Sequence, residues 1–345
     1  MSTFLVTGGA GFLGSLLIQR LLRDGHQVTN IDRVASAIQH HRMRSVVGDI
    51  RDRGLLDNLL SDTDHQAVFH CAALLAHGSY DKEDLWSSNV EGTRTLAEAV
   101  AAAGVRNVVY LSSNCLWGTS FSRPVRETDA PAPVELYGVS KWEGEKILSS
   151  YADRFTTATI RCPTIIDEGR LGLLSILFEF ISEGRRVWVV GDGSNHYQFI
   201  YAGDLIEAMI AAVGLERPQI FGIGSDQVLS MRKTYEYVIA NSGSRSKVGS
   251  LPQGPTIAAM KAAHLLRLSP LGPYHYRMIA SDFMFDTSKI KAVLGWRPTL
   301  SNHEMLLRAF RYYKANRAEI YSRSSASAHH TPASPGVIRL LKWVS

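Results

Sequence analysis

Through its first half the chain alternates short apolar runs with longer segments whose apolar positions recur every three or four residues. The runs TFLVTG, HQVTNID, RSVVGDI, AVFHCAA, NVVYLSS and TTATIRC have strand length and strand composition, and they predict six strands. Residues 13–24, 87–103 and 137–151 carry the helical spacing between them. This β-α-β-α rhythm predicts an α/β fold, a doubly wound parallel sheet of Rossmann type with helices on both faces. In such a sheet ligands gather beyond the carboxyl ends of the strands, which is where candidate chemistry should lie.

Past Cys162 the rhythm loosens. Residues 173–182 and the run DLIEAMIAAV read as helices on either side of VWVVGDGS, while prolines and glycines interrupt the pattern from 248 to 273. A last helix is expected over 302–321. The resulting division is a dinucleotide-binding domain over 1–165 and a smaller C-terminal substrate-binding lobe over 166–321, with segments returning to the first domain. Residues 322–345 follow, where SRSSASAHHTPASPG reads as a flexible linker. The terminal GVIRLLKWVS interleaves apolar residues with Arg339 and Lys342, so it could lie weakly in a membrane interface or dock on the body or on a partner subunit.

Composition changes this picture little. The chain has 345 residues, 45% hydrophobic and 20% charged, without an apolar run long enough to span a bilayer. Its net charge is +5, but Arg323, Arg339 and Lys342 supply three of those charges after Glu319, leaving about +2 for the body. Nucleic-acid binding is therefore not expected. The absence of a secretory pattern and three scattered cysteines (Cys71, Cys115, Cys162) without metal spacing point to a reduced, cytoplasmic setting and no metal site.

TGGAGFLG runs from Thr7 to Gly14, between the first strand and the first helix. Gly8 suits a tight turn, Gly11 a close backbone approach to a diphosphate, and Gly14 the packing of helix on strand, with Phe12 and Leu13 opening the helix beside them. Asp32 closes the second strand 18 residues after Gly14, where a carboxylate can bind the ribose hydroxyls of NAD and repel the extra phosphate of NADP. Arg33, next to it, could instead accept that phosphate. At two further strand ends, Asp49 and Ile50 could hold an adenine, and Ala72 and Ala73 leave room for a ribose or diphosphate.

Tyr137 and Lys141 stand four apart on a predicted helix, so both project from one face. A phenol is a poor base at neutral pH, and a nearby cation favours its phenolate. LSSNC supplies a serine hydroxyl, Ser113, at the end of the fifth strand, 24 residues before the tyrosine.

Taken together, TGGAGFLG, Asp32, GDIRD, HCAA, NVEGT, LSSNCLWG, YGVSK, GDGS with FIYAGDL, and LGWRP resemble the extended short-chain dehydrogenase/reductase superfamily, and within it the NAD-dependent epimerase/dehydratase family. The resemblance implies a catalytic set of Ser113, Tyr137 and Lys141, with Asn89 a structural or proton-relay member beside the cofactor. Tyr137 would take a proton from a substrate hydroxyl as hydride passes to nicotinamide. Lys141 would hold the nicotinamide ribose and depress the tyrosine pKa, and Pro163 and Thr164 would line the nicotinamide. It also implies a homodimer, paired through helices that include YGVSK.

Relatives that dehydrate carry an Asp-Glu pair after the serine, and uronate decarboxylases a glutamate where this chain has Cys115; Asn114 and Cys115 disfavour both reactions. Ser-x-Cys resembles the GDP-mannose 3,5-epimerase pattern and, more loosely, GDP-fucose synthase, where the cysteine is an acid/base. Cys115 is thus either a catalytic thiol, if a neighbour lowers its pKa, or a small packing residue. Tyr197 stands where many UDP-sugar epimerases have an arginine, with Arg185, Arg186 and Arg277 as alternative cations. Trp117 replaces a usual tyrosine and is expected to enlarge an apolar pocket wall. Three readings remain open: a nucleotide-sugar epimerase or reductase, a hydroxysteroid-dehydrogenase-like oxidoreductase of a hydrophobic alcohol, and a non-catalytic dinucleotide sensor.

Overall fold

The computed structural model describes residues 1–322 apart from 63, 77–79, 171, 173 and 267–271. The expected linker and tail therefore lie outside the described residues, Ser322 excepted. The first half builds β1 (Thr3–Thr7), α1 (Phe12–Arg23), β2 (Gln27–Asp32), β3 (Met43–Val47), α2 (Arg53–Ser61), β4 (Ala67–His70), α3 (Lys82–Trp86), α4 (Gly92–Ala103), β5 (Asn107–Ser113), α5 (Leu136–Ser149) and β6 (Thr156–Cys162). Then come β7 (Thr164–Ile166), α6 (Leu174–Ser182), β8 (Val187–Val190), β9 (Phe199–Tyr201), α7 (Ala202–Ala211), β10 (Gln219–Gly222), α8 (Met231–Ala240) and β11 (Val248–Leu251). The chain continues through α9 (Gln253–Leu265), α10 (Pro273–Met278), α11 (Ser288–Leu294), α12 (Asn302–Ala315) and α13 (Arg317–Ser322).

Seven strands form one parallel sheet in the order β10-β6-β5-β4-β1-β2-β3, the doubly wound arrangement the alternation predicts. Side chains alternate between its faces, and both faces are buried. Phe4 and Val6 join Leu17 and Leu21 of α1 and Leu205 and Met209 of α7. Leu5, Val68, Val108 and Tyr110 meet α2, α4 and α5 through Leu56, Leu96 and Leu148. The seventh strand, β10, is not among the six predicted. It returns from beyond residue 166 to pair with β6.

Two small parallel pairs, β7 with β9 and β8 with β11, stand outside the main sheet. Around them α6, α8 and α12 pack on Phe178, Phe310 and Tyr313, with Phe178 and Phe310 edge-to-face at 5.7 Å. The interrupted stretch from 248 contains a 13-residue helix, α9. Its Pro255 falls in the first turn, where no intrahelical donor is needed, so the proline does not break it. The last predicted helix is divided: α12 ends at Ala315, and Asn316 donates its side-chain amide to the Tyr312 carbonyl at 2.9 Å before α13 resumes. The helix expected from 87 starts at Lys82, capped by Asp81, and passes through a π-turn over Ser87–Glu91 that contains Asn89. Such turns often accompany functional sites. Among the described residues, no helix is long and apolar enough to cross a membrane.

A buried histidine ties the strands beneath the carboxyl edge. Thr93 donates to the Asn89 carbonyl at 2.6 Å, so its oxygen accepts from His70 Nε2–H at 2.9 Å. His70 Nδ1 then accepts from the Thr7 hydroxyl at 2.8 Å. Burial pushes the His70 pKa down from 6.5 to about 3, and the Lys141 charge adds to the fall. Between those values the unfolded chain binds a proton that the folded chain refuses, so stability declines as pH falls through this window, by about 1.4 kcal/mol per unit from this group. Replacing His70 with Gln should flatten the slope of unfolding free energy against pH between 6.5 and 4.5 by about one proton, measured by urea denaturation. An unchanged slope would contradict the assignment.

Candidate active site

The turn after β1 is shaped by close backbone contacts. Gly8 adopts φ +77°, and a Cβ there would lie 2.6 Å from the Ala72 nitrogen. Loop and β4 end therefore touch directly, and Ala72 N–H donates to Thr7 Oγ1 at 3.3 Å. A side chain at Gly14 would collide with the Gly8 carbonyl, while Gly11 caps α1 and Phe12 and Leu13 are buried as its first residues. Asp32 leans over this loop from the end of β2: its carboxylate accepts Ala10 N–H at 2.9 Å and Val34 N–H at 3.0 Å.

Beside Asp32 lies a cluster of two arginines and two acids. Arg33 bonds Asp84 at 3.0 Å and faces Asp49 at 3.9 Å. Arg51 bonds Asp49 at 2.5 Å and Asp84 at 2.9 Å, and its hydrogen bond holds the Asp49 carboxyl below the usual range. Arg33 is thereby engaged by carboxylates. Asp49 is engaged too, and Ile50 is buried against Gly92 of α4 in the core. Asp84, which closes the cluster, gave no signal in the sequence because its partners lie 33 and 51 residues away.

Ser113 ends β5, and its Oγ accepts Cys115 N–H at 3.1 Å as the chain enters the short helical turn Asn114–Leu116. α5 starts against that turn: Gly138 has no room for a Cβ beside the Cys115 carbonyl. This contact places the start of α5, with Tyr137, against the turn that follows Ser113. Lys141, 3% exposed, holds its Nζ 4.1 Å over the Tyr110 ring. Asn89 is wholly committed. Its amide donates to the Leu74 carbonyl at 2.9 Å and to Ser140 Oγ at 3.0 Å, and its oxygen accepts Leu74 N–H at 2.7 Å. It fastens the β4–α3 connection to α5, the structural one of its two expected roles. Pro163 and Thr164 carry the chain from β6 into β7.

Burial pushes the Tyr137 phenol above its ordinary value, helped by Cys115 and Cys162, while Ser113 and Arg170 pull it back. Arg170 reaches in from the loop after β7 and lies 5.6 Å over the Phe12 ring. Lys141 is itself brought down to about 8 by burial, with Cys162, Cys71 and Glu145 opposing the fall. The Cys115 thiol is pushed up to about 12 by burial, and the Glu135 carboxylate adds to the rise that Ser113 resists.

Around Cys115 the wall is polar. Asn114 donates one amide hydrogen to Tyr197 Oη at 2.7 Å and the other to Tyr274 Oη at 2.8 Å, and the two phenols lie 2.8 Å apart. Glu135, two residues before Tyr137, accepts Tyr274 N–H at 2.7 Å. Trp117 does not line this wall. It is fully buried among Phe283, Phe285 and Val125, with its indole N–H bonded to the Ala130 carbonyl at 3.0 Å. The expectation of an enlarged apolar wall fails because the 3₁₀ turn after Ser113 directs that side chain into the core. Arg185, Arg186 and Arg277 are exposed, and Arg186 stacks on Trp188 at 5.3 Å.

The family model described as the NAD dependent epimerase/dehydratase family matches residues 4–224. The protein y4nG of Sinorhizobium fredii is 35% identical over 345 residues, covering 99% of this chain and 86% of its own. A UDP-glucose 4-epimerase of Mycolicibacterium smegmatis is 28% identical over 90% of this chain and 98% of its own. Among solved structures, the UDP-glucose 4-epimerase of Thermotoga maritima with UDP-glucose superposes with a TM-score of 0.75 at 22% identity, over 91% of this chain and 99% of that one. That likeness concerns the fold. From the matched model and the long relative at 35% identity, the chain belongs to the NAD-dependent epimerase/dehydratase family and is an NAD-dependent enzyme.

Proposed function

We propose that this enzyme epimerises a secondary carbinol carbon of a UDP-linked hexose, as the relatives named for UDP-glucose do. The observation that carries the reading is the polar wall beside Ser113 and Tyr137. Asn114, Thr164, Tyr197 and Tyr274 form a neutral, hydroxyl-rich surface suited to a sugar ring and poorly suited to a hydrophobic alcohol. The Asp-Glu pair that dehydration calls for is missing after Ser113, where Asn114 and Cys115 stand.

NAD would be held by Gly8, Gly11, Phe12, Leu13 and Gly14 at the start of α1, by Asp32 at its adenosine ribose, and by Lys141 at the other ribose. The engagement of Arg33 by Asp84 fits NAD better than its phosphorylated form. Bound NAD supplies reversible hydride acceptance, so no net oxidation is expected over a turnover. Tyr137 accepts the hydroxyl proton, Ser113 orients the same oxygen, and Arg170 favours the phenolate against the cost of burial. Asn89, with its amide fully occupied, holds α5 in position rather than relaying protons. Cys115 packs beside the site as a neutral thiol.

Replacing Tyr137 with Phe should lower kcat for interconversion of UDP-glucose and UDP-galactose by about 10²-fold or more, with bound NAD retained on purification. Surviving turnover would sink the proposed chemistry. Stoichiometric NADH accumulation with a hydrophobic secondary alcohol, and no sugar interconversion, would favour the dehydrogenase reading. Arg170→Gln should act in the same direction as Tyr137→Phe but less severely, because it leaves the phenol in place. An Arg170→Gln enzyme with an unaltered pH profile would remove the arginine from the scheme.

A further inference from the structure

On α5 the row that contains Tyr137 and Lys141 continues one turn further to Glu145, again four residues on. Its carboxylate is 7% exposed and is held on every side. Arg161 of β6 grips it through two nitrogens, Nε to Oε1 at 3.0 Å and Nη2 to Oε2 at 2.7 Å. Ser112, the residue before Ser113, donates its hydroxyl to Oε1 at 2.5 Å. Arg161 is itself 4% exposed, donates to the Glu127 carbonyl at 3.0 Å and lies 5.2 Å over the Trp117 ring. One carboxylate thereby joins the strand of Ser113, the helix of Tyr137 and Lys141, and the strand that leads into Pro163 and Thr164.

Glu145 also faces Lys141. The ionisable groups around that ammonium are Tyr110 on β5, His70 and Cys71 at the end of β4, Cys162 at the end of β6, and Glu145 on α5 itself. Burial keeps His70 neutral and the two thiols protonated. Of these groups Glu145 is the carboxylate, and Lys141 has no carboxylate of its own to bond.

We propose that Glu145 is a positioning residue of the active site: it registers Ser113 against Tyr137 through Ser112 and Arg161, and its negative charge keeps the buried Lys141 ammonium protonated. The proposal rests on the reading of Tyr137 and Lys141 as catalytic. The sign of the effect follows from the charges. Glu145→Gln is close in shape, removes the anion and leaves Arg161 an uncompensated cation nearby. Both changes disfavour a charged Lys141, so the lysine gives up its proton at lower pH.

The experiment is the pH profile of kcat and kcat/KM for UDP-sugar interconversion in wild type, Glu145→Gln, Glu145→Asp and the double variant Glu145→Gln with Arg161→Gln. In Glu145→Gln the alkaline limb should move down by about one pH unit. In the double variant, where the stranded arginine charge is gone, the limb should fall between those of wild type and Glu145→Gln. Glu145→Asp keeps the charge but shortens its reach, so kcat should drop several-fold with the limb in place. A uniform loss at every pH in Glu145→Gln would mark a merely structural role and overturn the proposal. If that variant does not fold, the double variant decides: a limb coincident with wild type overturns the proposal, and a lowered limb supports it. Lys141→Met, run beside them, separates the two readings. If it retains the wild-type profile, the assignment of Lys141 is wrong whatever Glu145 does.

Discussion

Where α5 begins, its backbone rests on the carbonyl of Cys115, and the arrangement of the site depends on that contact. Gly138 leaves no side chain between helix and turn, so α5 brings Tyr137 up against the segment that follows Ser113. One turn later Lys141 lies across Tyr110, and Gly144 lets the Tyr110 hydroxyl approach the helix in the same way. Two glycines thus set the distance between helix and strand, and that distance sets the geometry of the chemistry. The parallel sheet supplies the rest: β4, β5 and β6 are neighbours, and the register sets Ser113 level with Cys162 and His70 level with Tyr110.

Proximity of this kind has an electrostatic cost, because it takes ionisable groups out of water. The chain answers in two ways. Around Lys141 it uses groups that stay neutral when buried, thiols and a histidine whose two nitrogens are satisfied by threonines. Where it does bury charge beneath the site, it pairs Arg161 with Glu145 in two-point contact and covers the guanidinium with Trp117. Trp117, a plausible pocket residue by position, therefore serves packing and charge shielding.

The adenosine end follows a different rule, since its charges are partly solvated. Arg33 and Arg51 are shared between Asp49 and Asp84, so the arginine next to Asp32 is bound to acids rather than held open. The preference for NAD over its phosphorylated form is then a property of four side chains on three segments, and Asp32 alone does not decide it.

Features encoded by short-range pattern were legible from the chain itself. Short apolar runs marked six of the seven sheet strands, the glycine spacing and Asp32 marked the turn after β1, and the four-residue step from Tyr137 to Lys141 needed only a helix to acquire meaning. Such signals are carried by backbone geometry within one element, so they survive without knowledge of what packs where. Ionisation and wall chemistry are of another kind. Asn114 meets Tyr274 across 160 residues, Asp84 meets Arg33 across 51, and burial pushes the Tyr137 phenol above its ordinary value. Those outcomes depend on which surfaces exclude water and which distant groups face each other there, and only the packed tertiary structure decides that.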